Sequence, residues 1–108
     1  MIEVFRYQTP SGEEPVTIWL QSLKDKQAQA KMRIRLKRLE AGAFGDCKSV
    51  GDGVLELREH MSAGYRVYFG RHGQMIVILL CGGSKKTQAG DIEVAKKYWA
   101  DWKRRQKI

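Results

Sequence analysis

The stretch from Gly53 to Gln88, GVLELREHMSAGYRVYFGRHGQMIVILLCGGSKKTQ, restricts this chain to folds built on a small sheet. Two of its runs, Val54–His60 and Tyr65–Arg71, alternate apolar with polar residues, and a third, Met75–Cys81, is apolar without alternation. Alternation marks a strand with one covered face, and a short unbroken apolar run marks a central strand covered on both. Leu55 and Leu57 face one way, with Glu56, Arg58 and His60 opposite. Tyr65, Val67 and Phe69 alternate with Arg66 and Tyr68. Both apolar sets reach one core only if Leu57 pairs with Val67 or Phe69. That pairing needs an odd loop, such as Met61-Ser62-Ala63, or a bulge assisted by Gly64. Glu56, Arg58, His60, Arg66 and Tyr68 then share an outer face. Both guanidinium groups point away from the hydrophobic layer, so truncating Arg66 is expected to leave the fold intact.

The remaining elements follow from periodicity and punctuation. Ile2–Tyr7 reads as a strand, with Ile2, Val4 and Arg6 on one side and Phe5 and Tyr7 on the other. Thr9-Pro10-Ser11-Gly12 is a turn. A short helix is predicted over Glu13–Leu23, with Pro15 in its first turn and Val16, Ile18, Trp19, Leu20 and Leu23 on a broad apolar face. A second helix is predicted over Asp25–Ala41, capped by Gly42, with Ala28, Met32, Leu36 and Leu39 in one stripe. Phe44–Gly53 reads as a loop. Gly82-Gly83-Ser84 reads as a flexible corner that brings Lys85 and Lys86 to the edge of the sheet. A last helix over Asp91–Arg105 stacks Ile92, Ala95, Tyr98, Trp99 and Trp102 in a core-packing stripe, and a basic tail, Lys103-Arg104-Arg105-Gln106-Lys107, closes it. The expected architecture is α+β, ordered β-α-α-β-β-β-α, in one domain of 108 residues.

Charge narrows the partners. Twenty Lys and Arg against 12 Asp and Glu leave a net +8, which favours polyanions because each cation placed on a phosphate releases a condensed counterion. An acidic protein would use the same surface. The second helix concentrates this excess: Lys24, Lys26, Lys31, Arg33, Arg35, Lys37 and Arg38 face only Asp25 and Glu40. That face is either simply solvated or electrostatically active, with Arg33 and Lys37 as RNA-contact candidates. Ile34, in its midst, meets either the first helix or a partner. The N-terminus lacks the pattern of a secretory signal, and no apolar run is long enough to span a bilayer. Cys47 and Cys81 follow no metal or redox spacing, and Cys81 reads as a buried thiol, which fits a reducing cytoplasm.

Catalytic motifs of the common kinds are missing from the sequence pattern. His60 and His72 are not at metal-ligand spacing, no metal or small-molecule cofactor is expected, and no Ser or Cys triad stands out. RNA cleavage has lower requirements, because the neighbouring 2′-hydroxyl is itself the nucleophile. It needs cations for the phosphorane and groups for two proton transfers. Arg58, Arg66 and the Lys85-Lys86 pair suit the first task. His60 has the intrinsic pKa for the second, although a lone histidine also serves structure. Tyr68 is placed to orient substrate or stack on a base.

Gly53-Val-Leu-Glu-Leu-Arg58, Gly64-Tyr-Arg66-Val-Tyr68-Phe, Gly83-Ser-Lys85-Lys86-Thr-Gln88 and Asp91-Ile92 together resemble the RelE/ParE toxin superfamily, most closely its phage-derived Gp49-like, HigB-type addiction-module killer branch. The resemblance covers nearly the whole chain. It implies a RelE/ParE-like fold and a bacterial type II toxin, inhibited by a helix-turn-helix antitoxin from the same operon. RelE-like members cut mRNA in the ribosomal A site without metal. The positions that match their stabilising cations are Arg58, Arg66, Lys85 and Lys86, with His60, Tyr68 and Gln88 as weaker matches. The chain lacks a tyrosine after the Lys-Lys corner, where Asp91 and Ile92 stand, so the general base falls to His60 or a lysine of lowered pKa. Two other readings share the pattern: a ParE-like gyrase poison, and a non-catalytic domain that binds RNA or antitoxin.

Overall fold

The computed structural model describes residues 1–60 and 64–106; Met61-Ser62-Ala63 of the expected odd loop, and Lys107 of the basic tail, lie outside the described residues. Strand β1 is Glu3–Arg6, helix α1 is Pro15–Ser22 and helix α2 is Lys26–Arg38, the last running into a 3-10 turn at Leu39–Ala41. Strands β2 (Cys47–Gly51), β3 (Val54–Glu59), β4 (Tyr65–His72) and β5 (Ile76–Ser84) follow, then a 3-10 turn at Lys85–Thr87 and helix α3 (Gln88–Arg105). The five strands form one sheet in the order β1-β5-β4-β3-β2, with β1 parallel to β5 and all other pairs antiparallel. The α+β class and the flanking helices agree with the sequence reading. No helix among the described residues is long and apolar enough to cross a membrane.

Local chemistry accounts for the helix ends. Pro15 opens α1, where its missing N–H costs nothing. Asp25 caps α2 by accepting from the Ala28 amide at 3.1 Å. Gly42 ends the turn after α2 at φ 78, a left-handed conformation that a side chain would disfavour. The predicted α2 stripe is buried in full: Ala28, Met32, Leu36 and Leu39 are at most 6% exposed.

The register matches one of the two expected pairings, Leu57 opposite Val67, and Glu56 and Arg58 accordingly lie opposite Tyr68 and Arg66. One core sits between the sheet and α1/α2, gathering Val16, Leu20, Met32, Leu57, Val67 and Phe69. Leu57 is fully buried there. Leu57→Ala should lower stability by about 2–5 kcal/mol, read as a shift of the denaturant midpoint.

The structure departs from the expectation at three places. Phe44–Gly53 is not all loop, because Cys47–Gly51 forms β2, the outermost strand beside β3. Gly82-Gly83-Ser84 is not a flexible corner: β5 continues through Ser84. These glycines permit close approach, since a Cβ on Gly82 would fall 2.3 Å from the Trp19 ring and one on Gly83 1.7 Å from an Asp91 carboxylate oxygen. Third, the opposite face of the sheet is not open. Helix α3 lies across it and builds a second core of Tyr7, Val54, Tyr68, Ile78, Leu80, Ala95 and Trp99. Trp99 seats on Gly70, where a Cβ would come within 2.4 Å of the ring.

Candidate functional site

Of the five residues expected on the outer face of β3 and β4, three are buried beneath α3 and its approach. Glu56 and Tyr68 are fully buried and Arg66 is 7% exposed. The Glu56 carboxylate accepts from the Tyr68 hydroxyl at 3.1 Å and from the Gln88 side-chain amide at 2.7 Å. It also lies 3.4 Å from Arg66 Nε, close enough for charge compensation without an aligned hydrogen bond. Arg66 Nη1 donates to the Gly64 carbonyl at 2.6 Å. The expectation that the Arg66 guanidinium and the Tyr68 ring stand in solvent is therefore corrected. The sequence reading expected cover on both faces of β5 but left the outer face of β3 and β4 to solvent, whereas the α3 stripe builds a core on this face. Burial, together with Glu56, raises the Tyr68 pKa, so the group stays a neutral phenol. Gln88, the first residue of α3, spends its amide on the same carboxylate.

Toward the β3–β4 end of the sheet the predicted residues are more exposed. Asp46, in the turn before β2, holds two predicted residues at once: Arg58 Nη2 at 3.1 Å and His60 Nε2 at 2.5 Å. The Arg58 side chain is 28% exposed and that of His60 70%. The His60 hydrogen bond, and then that from Arg58, hold the Asp46 carboxyl below its ordinary value of 3.8. Asp46 itself is fixed from behind. Its carbonyl accepts from the Arg58 amide at 3.0 Å, and Arg35 reaches from α2 to the carbonyls of Arg58, Phe44 and Asp46. Arg35 also lies 3.7 Å from Glu59.

Because the folded state depresses the Asp46 pKa, its contribution to stability is present above the unfolded value and lost as pH falls through the folded one. The melting temperature of the wild type should therefore fall relative to that of Asp46→Asn as pH drops below 3.8. Parallel melting curves across pH 2–5 for the two proteins would refute the brace.

Lys85 and Lys86 are exposed and have no ion-pair partner among the described residues. Ser84 stands opposite Tyr65, which in turn stands opposite Glu59. His60 and Lys85 thus leave the sheet at the same end, two strand spacings or about 10 Å apart, and Gly64 lies between them, its Cβ position 3.6 Å from that of Lys85. His60, Asp46 and Arg58 beside β3 and Lys85-Lys86 after β5 gather at one end of the sheet, on either side of β4 and its Arg66. Each of the two arginines has a carboxylate facing it; the lysines have none.

Arg33 and Lys37 are not part of this cluster. They line a separate depression with Val4 and Arg6 on the α1/α2 face, at the opposite edge of the sheet. Asp46 and Arg35 were not anticipated as site residues. Arg35 was legible only as one of a basic run, and Asp46 lay in a segment taken for loop. Among the described residues no group of three or more His, Cys, Asp or Glu is arranged to hold a metal ion. Cys81 is buried, its thiol pushed up to about 12 by desolvation, and Cys47 is partly buried.

Two comparisons with known proteins bear on this geometry. The family model described as phage derived protein Gp49-like (DUF891) matches residues 18–101, a span containing Asp46, Arg58, His60, Lys85 and Lys86. An uncharacterized protein of Haemophilus influenzae (strain ATCC 51907 / DSM 11121 / KW20 / Rd) is 54% identical over 78 residues, which cover 72% of this chain and 79% of that protein.

Proposed function

The chain belongs to the phage-derived Gp49-like family, and from that membership we propose that it is the toxin of a type II toxin–antitoxin pair and cuts mRNA on translating ribosomes. The observation that carries this reading is the cluster at the end of the sheet, where an imidazole held by a carboxylate shares that end with two exposed lysines that have no ion-pair partner among the described residues. Asp46 accepts from His60 Nε2, which leaves Nδ1 as the basic nitrogen. In the proposed reaction the RNA 2′-hydroxyl attacks the adjacent phosphorus and gives its proton to Nδ1. Lys85, Lys86 and Arg58 meet the charge that builds on the phosphorane. Arg58 does so by exchanging its Asp46 contact for a phosphate oxygen, an exchange its partial exposure allows. The bond from phosphorus to the 5′-oxygen then breaks, that oxygen takes a proton from a lysine ammonium or from water, and a 2′,3′-cyclic phosphate remains.

Arg66, Tyr68 and Gln88 take supporting roles in this scheme. Arg66 holds the hairpin end through Gly64, and all three converge on Glu56. A site with one imidazole and no buried base is a modest catalyst alone, and a ribosome that fixes the RNA geometry supplies the missing orientation. The inhibitory partner in this reading is a helix-turn-helix antitoxin from the same operon, and the setting is the bacterial cytoplasm.

The test is a bacterial translation extract challenged with purified protein. The proposal expects codon-phased cuts in the message and arrested synthesis. Intact message with inhibited DNA supercoiling would replace it with the gyrase-poison reading. Intact message with normal synthesis and supercoiling would leave only a binding domain.

A further inference from the structure

The two edges of the sheet are treated differently. The outer strand β2 is interrupted by a bulge between Ser49 and Gly51 and carries the exposed Lys48, devices that discourage a further strand. The other edge, β1, has no bulge and no lysine, and is held to four residues with Glu3 and Arg6 at its ends. In a parallel pair, alternate residues turn both backbone groups toward the neighbour. The Glu3 and Tyr7 amides donate to the Met75 and Leu79 carbonyls of the β5 side, so the even-numbered residues point their N–H and C=O outward. The ends of this outward row are occupied: the Ile2 amide donates to the Glu40 carbonyl at 2.9 Å, and Arg105 donates to the Gln8 carbonyl at 2.6 Å. Between them, Val4 and Arg6 have no outward partner among the described residues.

A groove flanks this open stretch on each face of the sheet, and the two differ in chemistry. On the α3 side a depression of about 500 Å³ is lined by Phe5, Ile78 and Trp102 together with Arg6 and Arg105, with Phe5 49% exposed. On the α2 side one of about 290 Å³ is lined by Val4, Leu36, Arg6, Arg33 and Lys37, against the single acid Glu40. A strand laid along β1 would send successive side chains alternately into these two grooves.

We propose that β1 is the docking edge for an extended segment of a partner protein, in which acidic side chains alternate with apolar ones. The acidic set meets Arg33 and Lys37, the apolar set covers Phe5 and Trp102, and the main chain bonds to Val4 and Arg6. This assignment is independent of the RNA chemistry, because it uses the opposite edge of the sheet. A second copy of this chain fits poorly. Antiparallel pairing of two β1 edges keeps the same faces together and sets one basic α2 beside another. RNA would use the cations of the two grooves and leave the outward backbone groups of Val4 and Arg6 unused.

The probe is a blocked ten-residue peptide alternating Glu with Val, compared with a peptide of the same composition in two blocks. Added to the full-length protein, the alternating peptide should slow amide exchange at Val4 and Arg6 by at least roughly tenfold. It should bind at least about tenfold more tightly than the block peptide, and Arg33→Glu/Lys37→Glu should lose about that factor. Unprotected Val4 and Arg6 amides, or equal binding of the two peptides, would overturn the proposal. So would protection of those amides in concentrated protein alone with a dimer mass, which assigns the edge to a second copy. Displacement of the bound peptide by a ten-nucleotide RNA, with the edge amides released, would assign it to nucleic acid. Exchange in the wild type decides the matter even if the charge-reversed variant fails to fold.

Discussion

Arg66→Ala should unfold at a far lower temperature than the wild type, whatever it does to activity. The substitution removes the cation 3.4 Å from Glu56 and leaves a carboxylate with no exposure facing a phenol, an amide and apolar walls. Breaking one partner out of a buried pair typically costs about 3–5 kcal/mol, because the remaining charge is uncompensated. For a chain of this size that is a fall of more than about 10 °C in melting temperature. Part of the effect comes from the lost bond to the Gly64 carbonyl, which anchors the β3–β4 connection. Arg66→Ala/Glu56→Gln should recover much of the loss, since the amide carries no charge and still accepts from Tyr68. A single variant that melts within about 1 kcal/mol of wild type would mean that the guanidinium stands free in solution, as the alternation alone suggested.

His60→Ala should behave in the opposite way. The imidazole is 70% exposed and, among the described residues, its side-chain hydrogen bond is to Asp46, so the melting temperature should barely move. Message cleavage in a translation extract should fall by about 10²–10⁴-fold, the usual range for losing a positioned acid or base. Loss of activity together with stability would make His60 a structural partner of Asp46. Retention of activity within about threefold would remove it from the chemistry.

These two arginine and histidine positions mark where the sequence was legible and where it was not. Parity fixed the register: Leu57 opposite Val67 is one of two pairings that put both apolar sets in one layer. The central place of β5 was legible because Val77–Leu80 has no polar position, and both faces are indeed covered. Strand β2 was hidden because it is short and its two apolar residues lie three apart, so that Cys47 packs on one core and Val50 on the other and no one-sided alternation shows. A signal was nevertheless present in Gly51-Asp52-Gly53, three consecutive residues with positive φ that turn β2 into β3.

The burial of Glu56, Arg66 and Tyr68 was illegible for a different reason. Three polar residues that satisfy one another look identical, in sequence, to three residues that face water. Only the placement of α3, which brings Gln88 down onto Glu56, distinguishes the two. Asp46 could not be found from spacing either, since its contacts with Arg58 and His60 depend on the path of the chain before β2.

Removing Lys85 and Lys86 offers the cleanest trial of the proposed site. Both side chains are exposed and unpaired among the described residues, so Lys85→Ala/Lys86→Ala should fold and melt as the wild type does. The deciding quantity is the rate at which this double variant cuts mRNA on translating ribosomes. A drop on the order of 10²–10³-fold is the predicted result, matching the loss of charge stabilisation at the phosphorane. Cleavage at the wild-type rate by the folded variant would contradict it.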